Sequence, residues 1–252
     1  MPLPAQWLNY PTAGVPRLPD GKPNLKAPAP RTPDGKPDFS GLWDTERNRP
    51  CPADGCFDQQ VSQEFVDFGW ALKGLPYRPE AARLVRQRNE QNGKDDPGTR
   101  CLPVGFVRIH TDALLRKMIQ MPGLLLMLTE RNASYRQIFL DGRPLPTDPN
   151  PSFSGYSVGK WDGDTLVVET NGFRNDLWLD RKGSPLSDSA RVTERLRRLN
   201  YGRMQVEVTV DDSKNYTKPF TVRLNLDIAP DSDLLDHICL EDEQDAPHLV
   251  GK

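Results

Sequence analysis

Five ionisable side chains stand where strand periodicity would turn them toward apolar company. Successive side chains of a β-strand alternate faces, so a charge that shares parity with apolar neighbours points to the interior of a sheet or to its mouth. Glu130 shares parity with Leu124, Leu126 and Leu128, and Arg136 with Ile138 and Leu140. Glu169 goes with Val167, Glu194 with Val192 and Leu196, and His237 with Leu235 and Cys239. A carboxylate desolvated there would have a raised pKa and could act as a general acid or base, which makes Glu130, Glu169 and His237 the catalytic candidates. Arg136 could hold a carboxylate or an oxyanion of a bound molecule, with Glu194, Tyr135 and Trp161 as the other ligand-binding candidates. The opposing reading is structural: each charge caps a strand end or belongs to an ion-pair network. Arg223 and Asp227 lie opposite the apolar row of their strand and are expected in solvent.

Other chemistry is less well supported. Gly155-Tyr156-Ser157-Val158-Gly159 matches the G-x-S-x-G nucleophile elbow, which requires a sharp strand-to-helix turn; here Trp161-Asp162-Gly163 and a strand follow. His110 and Asp112 could supply two metal ligands, and Glu241, Glu243, Asp245 and His248 form an acidic tail. Neither group has the spacing of a known zinc motif, so no metal and no cofactor is expected. Glycine-rich phosphate loops are absent. A net charge of -2 and a pI near 6.0 leave no electrostatic footprint for nucleic acid. No apolar run approaches the ~18 residues of a membrane helix.

The elements that must position these residues are mostly strands. Gly155–Phe173 reads as two strands joined at Asp162-Gly163, a hairpin signal, with Thr165-Leu166-Val167-Val168 suited to a half-buried pleat. The full set of strands is expected at 117–120, 124–130, 135–140, 156–161, 165–170, 191–199, 204–210, 217–228 and 234–240. Strict alternation is clearest at Met204, Val206, Val208 and Val210 and at Phe220, Val222, Leu224, Leu226 and Ile228. Many sequential strands with short turns predict an antiparallel barrel or strongly curved sheet. The helical region falls at 62–92, with Ser62 as N-cap, Pro79 at a first helical position and Gly93 as a stop.

Residues 1–50 carry a short repeat, Pro19-Asp20-Gly21-Lys22-Pro23 and Pro33-Asp34-Gly35-Lys36-Pro37. Such turns cannot continue a helix, and two copies are too few for a solenoid. The expected organisation is an extended proline-rich arm over 1–38 and a single β-barrel domain over 39–252 with a helical insertion at about 62–92. The arm would lie on a surface or reach a second copy of the chain, giving a homo-oligomer.

Four cysteines, Cys51, Cys56, Cys101 and Cys239, allow three connectivities that sequence cannot choose between. Cys51–Cys56 across Pro-Ala-Asp-Gly with Cys101–Cys239 is favoured; four free thiols in a cytosolic protein is the alternative. Met-Pro-Leu-Pro-Ala has neither the charged nor the apolar region of a secretory signal, so an exported protein would have lost its signal upstream, with Met1 added.

RTPDGKPDFSGLW (31–43), NGKDDPGTRCLP (92–103), YRQIFLDGRPLP (135–146), GYSVGKWDGDTLVVET (155–170), RVTERLR (191–197) and YTKPFT (216–221) together resemble a family of exported bacterial proteins of uncharacterised activity. The resemblance spans nearly the whole chain and implies a periplasmic or secreted protein. The hairpin and later strands also resemble, at the level of pattern, lipocalin-like (calycin) barrels, which implies a fold and not a function. Two functions follow as expectations: a barrel binding a small apolar or aromatic molecule in its cavity, or a cofactor-independent enzyme in the same cavity. The enzyme would be a lyase or isomerase using carboxylate or histidine acid-base chemistry, or an esterase through Ser157.

Overall fold

The computed structural model describes residues 11–46, 67–69, 72, 74–112 and 114–242. Among these residues nine strands close into a barrel in the order β1-β11-β10-β9-β6-β5-β4-β3-β2. They are β1 (Gly41–Thr45), β2 (Arg116–Met121), β3 (Leu124–Thr129), β4 (Tyr135–Phe139), β5 (Tyr156–Asp162), β6 (Thr165–Asn171), β9 (Arg191–Arg198), β10 (Arg203–Asp211) and β11 (Phe220–Ile228). The two-residue strands β7 (Leu177–Trp178) and β8 (Pro185–Leu186) form a separate ribbon. Every neighbouring pair in the barrel is antiparallel except β4–β5, which is parallel and pairs only Ile138 with Ser157 and Phe139 with Val158.

Alternation places the core as expected on the longest strands. Met204, Val206, Val208 and Val210 face Phe220, Val222, Leu224 and Leu226 across the lumen side of β10 and β11, all buried. Each such side chain contributes about 1.5–3 kcal/mol by leaving water. Trp43, Phe39, Met118, Leu125, Met127 and Ile138 fill the rest, so the interior is packed with side chains. The β5–β6 loop is Gly163-Asp164, one residue later than expected. Only Gly163 has positive φ (59°), the pattern of a II′ hairpin turn.

Helix α1 (Pro79–Glu90) starts on Pro79 and buries Ala81 and Val85. The expected start of the helical region at Ser62 lies outside the described residues, and 67–69 form a turn. A single helical turn, α2 (Phe106–Ile109), has all four residues buried. The strand expected at 234–240 does not form. That segment makes one isolated parallel bridge, Arg131 to His237, and ends in the short helix α3 (Cys239–Asp242). Among the described residues no helix is long and apolar enough to cross a membrane.

Each proline repeat closes on its own arginine. Arg17 donates to the Gly21 carbonyl (3.0 Å) and ion-pairs with Asp231. Arg31 likewise donates to the Gly35 carbonyl (2.7 Å) and pairs with Asp164, so both repeats are fastened to loops at the barrel's rim. Cys101 and Cys239 form a disulfide, while Cys51 and Cys56 lie outside the described residues.

Candidate functional site

Two features meet on β4, one on each face. The inward side chain Arg136 enters a polar layer across the lumen; the outward side chains Tyr135 and Phe139 border a surface groove.

The polar layer is built from six strands and the turn after α2. Arg136 donates through Nη1 to Glu194 Oε1 of β9 (3.0 Å) and through Nη2 to Glu194 Oε2. Its Nε donates to Ser157 Oγ of β5 (3.0 Å) and Nη2 also reaches Thr170 Oγ1 of β6 (2.9 Å). The turn after α2 brings in His110, whose Nε2 lies 2.7 Å from Glu194 Oε1. Arg116 of β2 faces His110 Nδ1 (3.4 Å) and donates to Thr45 Oγ1 of β1, which donates to the Asp112 carbonyl (2.8 Å). Arg136 is 2 % exposed, Glu194 1 % and His110 0 %.

Burial by itself would raise the Glu194 carboxyl. Arg136 and His110 outweigh it and hold the group well below the usual carboxylate range. Burial holds the His110 imidazole below its ordinary value; Glu194 pulls it up, and Arg116 and Arg136 push it down. The geometry therefore assigns the neutral tautomer with the proton on Nε2, donated to Glu194, and with Nδ1 accepting from Arg116. A carboxylate held in its ionised form and a neutral imidazole, each hydrogen-bonded to fixed partners, form a framework rather than an acid–base pair.

The groove lies where the barrel ladder is shortest, between β4 and the chain entering β5. Gly155, at φ 68°, turns that chain away from β4; a side chain there would strike the Asn171 carbonyl at 2.6 Å. The opening measures about 470 Å³ and is walled by Tyr135, Phe139, Phe153 and Tyr156, with Arg136 and Ser157 closing its floor. Phe139 stacks on Tyr156 (centroids 5.2 Å apart), and the Arg143 guanidinium covers Phe139 at 3.8 Å. Tyr135 is 63 % exposed.

The sequence candidates distribute unevenly over this geometry. Arg136 and Glu194 come together, and Tyr135 and Arg136 border the groove. Trp161 sits at the other end of β5, packed 5.4 Å from Phe39 with Lys36 Nζ 5.8 Å from its ring. Glu130 is a brace, not a lumen side chain of β3: its carboxylate accepts from the Leu115 and Leu235 backbone N–H groups (3.1 and 3.2 Å). The inward face of β3 carries Leu125, Met127 and Thr129, opposite to the expected parity. Glu169 is exposed on the outer face of β6, where it borders a hollow of about 300 Å³ with Arg191 and Asp211. His237 is partly exposed on the segment that crosses Arg131. Ser157 lies within a strand and hydrogen-bonds to Arg136 and Thr170, with no helix after it, so the elbow geometry is absent. Sequence reasoning missed Arg116 and the role of His110, which it weighed only as a metal ligand beside Asp112.

No protein-family model matches the chain, and no curated protein matches it.

Proposed function

We propose that this protein binds a small apolar or aromatic molecule in the groove at the β4–β5 seam. One observation carries the reading: the aromatic opening of about 470 Å³ coincides with the seam where only two residue pairs join β4 to β5. Aromatic walls over a few polar groups are the usual make-up of small-molecule sites. The lumen itself is filled, so the expected interior cavity moves to the wall of the barrel. Export to a periplasmic or extracellular compartment belongs to the same reading, since a disulfide persists where the surroundings are oxidising. The exported family that the motifs resemble is consistent with that setting. Catalysis receives less support, because Glu169 stands apart from Glu130 and His237 and none of the three borders the groove.

The test is titration with the fluorescent apolar probe 8-anilinonaphthalene-1-sulfonate against wild type and Tyr135→Ala. The expected result is saturable one-site binding that weakens at least tenfold in the variant. Equal binding by both proteins would overturn the groove as the site.

A further inference from the structure

The groove does more than offer rings, because it runs along an unfinished strand edge. In an antiparallel pair, alternate residues exchange both backbone hydrogen bonds with the partner, and the residues between point theirs the other way. Thr129 N–H donates to the Ser134 carbonyl (3.0 Å) and Leu140 N–H to the Gly123 carbonyl (2.8 Å), in line with the register joining Leu128 to Tyr135 and Leu124 to Phe139. Both bonds use even-numbered residues on the β4 side, so Arg136 and Ile138 also bond to β3. Tyr135, Gln137 and Phe139 therefore turn their backbone groups toward β5. The parallel pairs Ile138–Ser157 and Phe139–Val158 use the Phe139 N–H and carbonyl and the Gln137 carbonyl. The Tyr135 N–H, the Tyr135 carbonyl and the Gln137 N–H then meet no partner among the described residues.

These three groups run donor, acceptor, donor along the groove. Unpaired strand-edge groups favour pairing with a further extended chain, and strand addition is a recurrent way to bind peptides. We infer that the ligand is an extended peptide segment that completes the ladder, offering acceptor, donor and acceptor from two alternate residues. Laid antiparallel to β4, one ligand residue exchanges both bonds with Tyr135, and the carbonyl two residues earlier accepts from Gln137 N–H. An aromatic or aliphatic side chain of the ligand then lies against Tyr135, Phe153 or Tyr156. Gly155, at φ 68°, immediately precedes β5, where the pairing with β4 stops at Ser157. This inference rests on the groove being the binding site, and adds the chemistry of what enters it.

The experiment pairs hydrogen exchange with calorimetry on the whole chain. In the free protein the Tyr135 and Gln137 amides should exchange much faster than those of Arg136 and Ile138. Slow exchange at all four would overturn the inference. Acetyl-Ala-Phe-Ala-amide should bind, slow exchange at Tyr135 and Gln137 and displace the naphthalenesulfonate probe. Its fully N-methylated counterpart, which cannot donate, should bind at least tenfold more weakly. Equal affinity of the two peptides, or a probe site that the peptide does not compete for, would sink strand addition while leaving a groove for small apolar molecules. Failure of both probe and peptide to bind would remove the groove reading as well.

Discussion

Arg136 and Tyr135 are adjacent in sequence and opposite in circumstance. Arg136 points into the barrel, where its guanidinium is engaged by Glu194, Ser157 and Thr170. Tyr135 points out over a groove, with its backbone edge unpaired and its ring in water. A buried charge is tolerable only when paired and hydrogen-bonded, so the inner face is a closed arrangement with nothing left to offer a ligand. The outer face keeps unspent hydrogen-bonding capacity beside apolar surface, which is what a binding site needs. The contrast separates two meanings of a polar residue in a barrel: one locks the fold, the other waits for a partner.

The largest effect should come from opening the closed side. Glu194→Gln leaves the Arg136 guanidinium buried without its counter-charge and should destabilise by about 3–5 kcal/mol, read from urea unfolding at pH 7. The double replacement Arg136→Met with Glu194→Leu removes both charges and should recover most of that loss. A cost below about 1 kcal/mol for the single change, the range of an exposed pair, would show that the layer is hydrated and the contrast false.

Removing the disulfide acts between the two regions. Cys101 lies two residues before Pro103, which with Ala133 ends the groove, and Asn132 ties the two cysteine segments by donating to the Cys101 carbonyl (3.0 Å) and accepting from Cys239 N–H (3.3 Å). The Cys101→Ser, Cys239→Ser double variant should lose about 2–4 kcal/mol. It should also bind the naphthalenesulfonate probe more weakly, while the near-ultraviolet signal of the packed barrel persists. Loss of stability with unchanged probe binding would place the disulfide outside the groove's support.

A smaller effect follows from the titration of the closed layer. The His110 folded-state pKa is lowered, so the unfolded chain binds the proton more readily. Its contribution is complete above the unfolded value of about 6.5 and is lost as the pH falls from there toward the folded pKa. Glu194, also lowered, adds a second loss that begins nearer the ordinary carboxylate range. Stability against pH should therefore decline in two stages on acidification, and His110→Gln should remove the first. A flat profile from pH 7 to pH 5 in wild type would mean that His110 is not held neutral.

How much of this was legible in the sequence depends on what lay beside each residue. Glu194 and Arg136 could be placed because each shares parity with buried apolar neighbours, Val192 and Leu196 on β9 and Ile138 on β4. Glu130 and Glu169 could not, since Leu124–Leu128 and Leu166–Val168 are apolar on both faces and parity then has no reference side. In each case the face chosen was the outer one. His110 follows a single helical turn, to which strand parity does not apply. The groove was hidden for a different reason. It comes from a parallel seam between chain segments joined by a long loop, and from one positive φ at Gly155, and no local pattern reports strand order around a barrel.

The smallest stability effect belongs to the open side, and it gives the sharpest test of the comparison. Tyr135→Ala removes a ring that is 63 % exposed, so the unfolding midpoint should stay within about 0.5 kcal/mol of wild type. Arg136→Ala, one residue along, should cost several times more, because Glu194 would then be buried with His110 as its nearest remaining donor. Binding separates the two: in Tyr135→Ala it falls while the fold is intact, whereas in Arg136→Ala it falls together with stability, since Arg136 also closes the groove's floor. If Tyr135→Ala unfolded the protein, the ring would be part of the core and the groove a crease in packing. If it left both stability and binding untouched, the two faces of β4 would not differ in the way their hydrogen bonds imply.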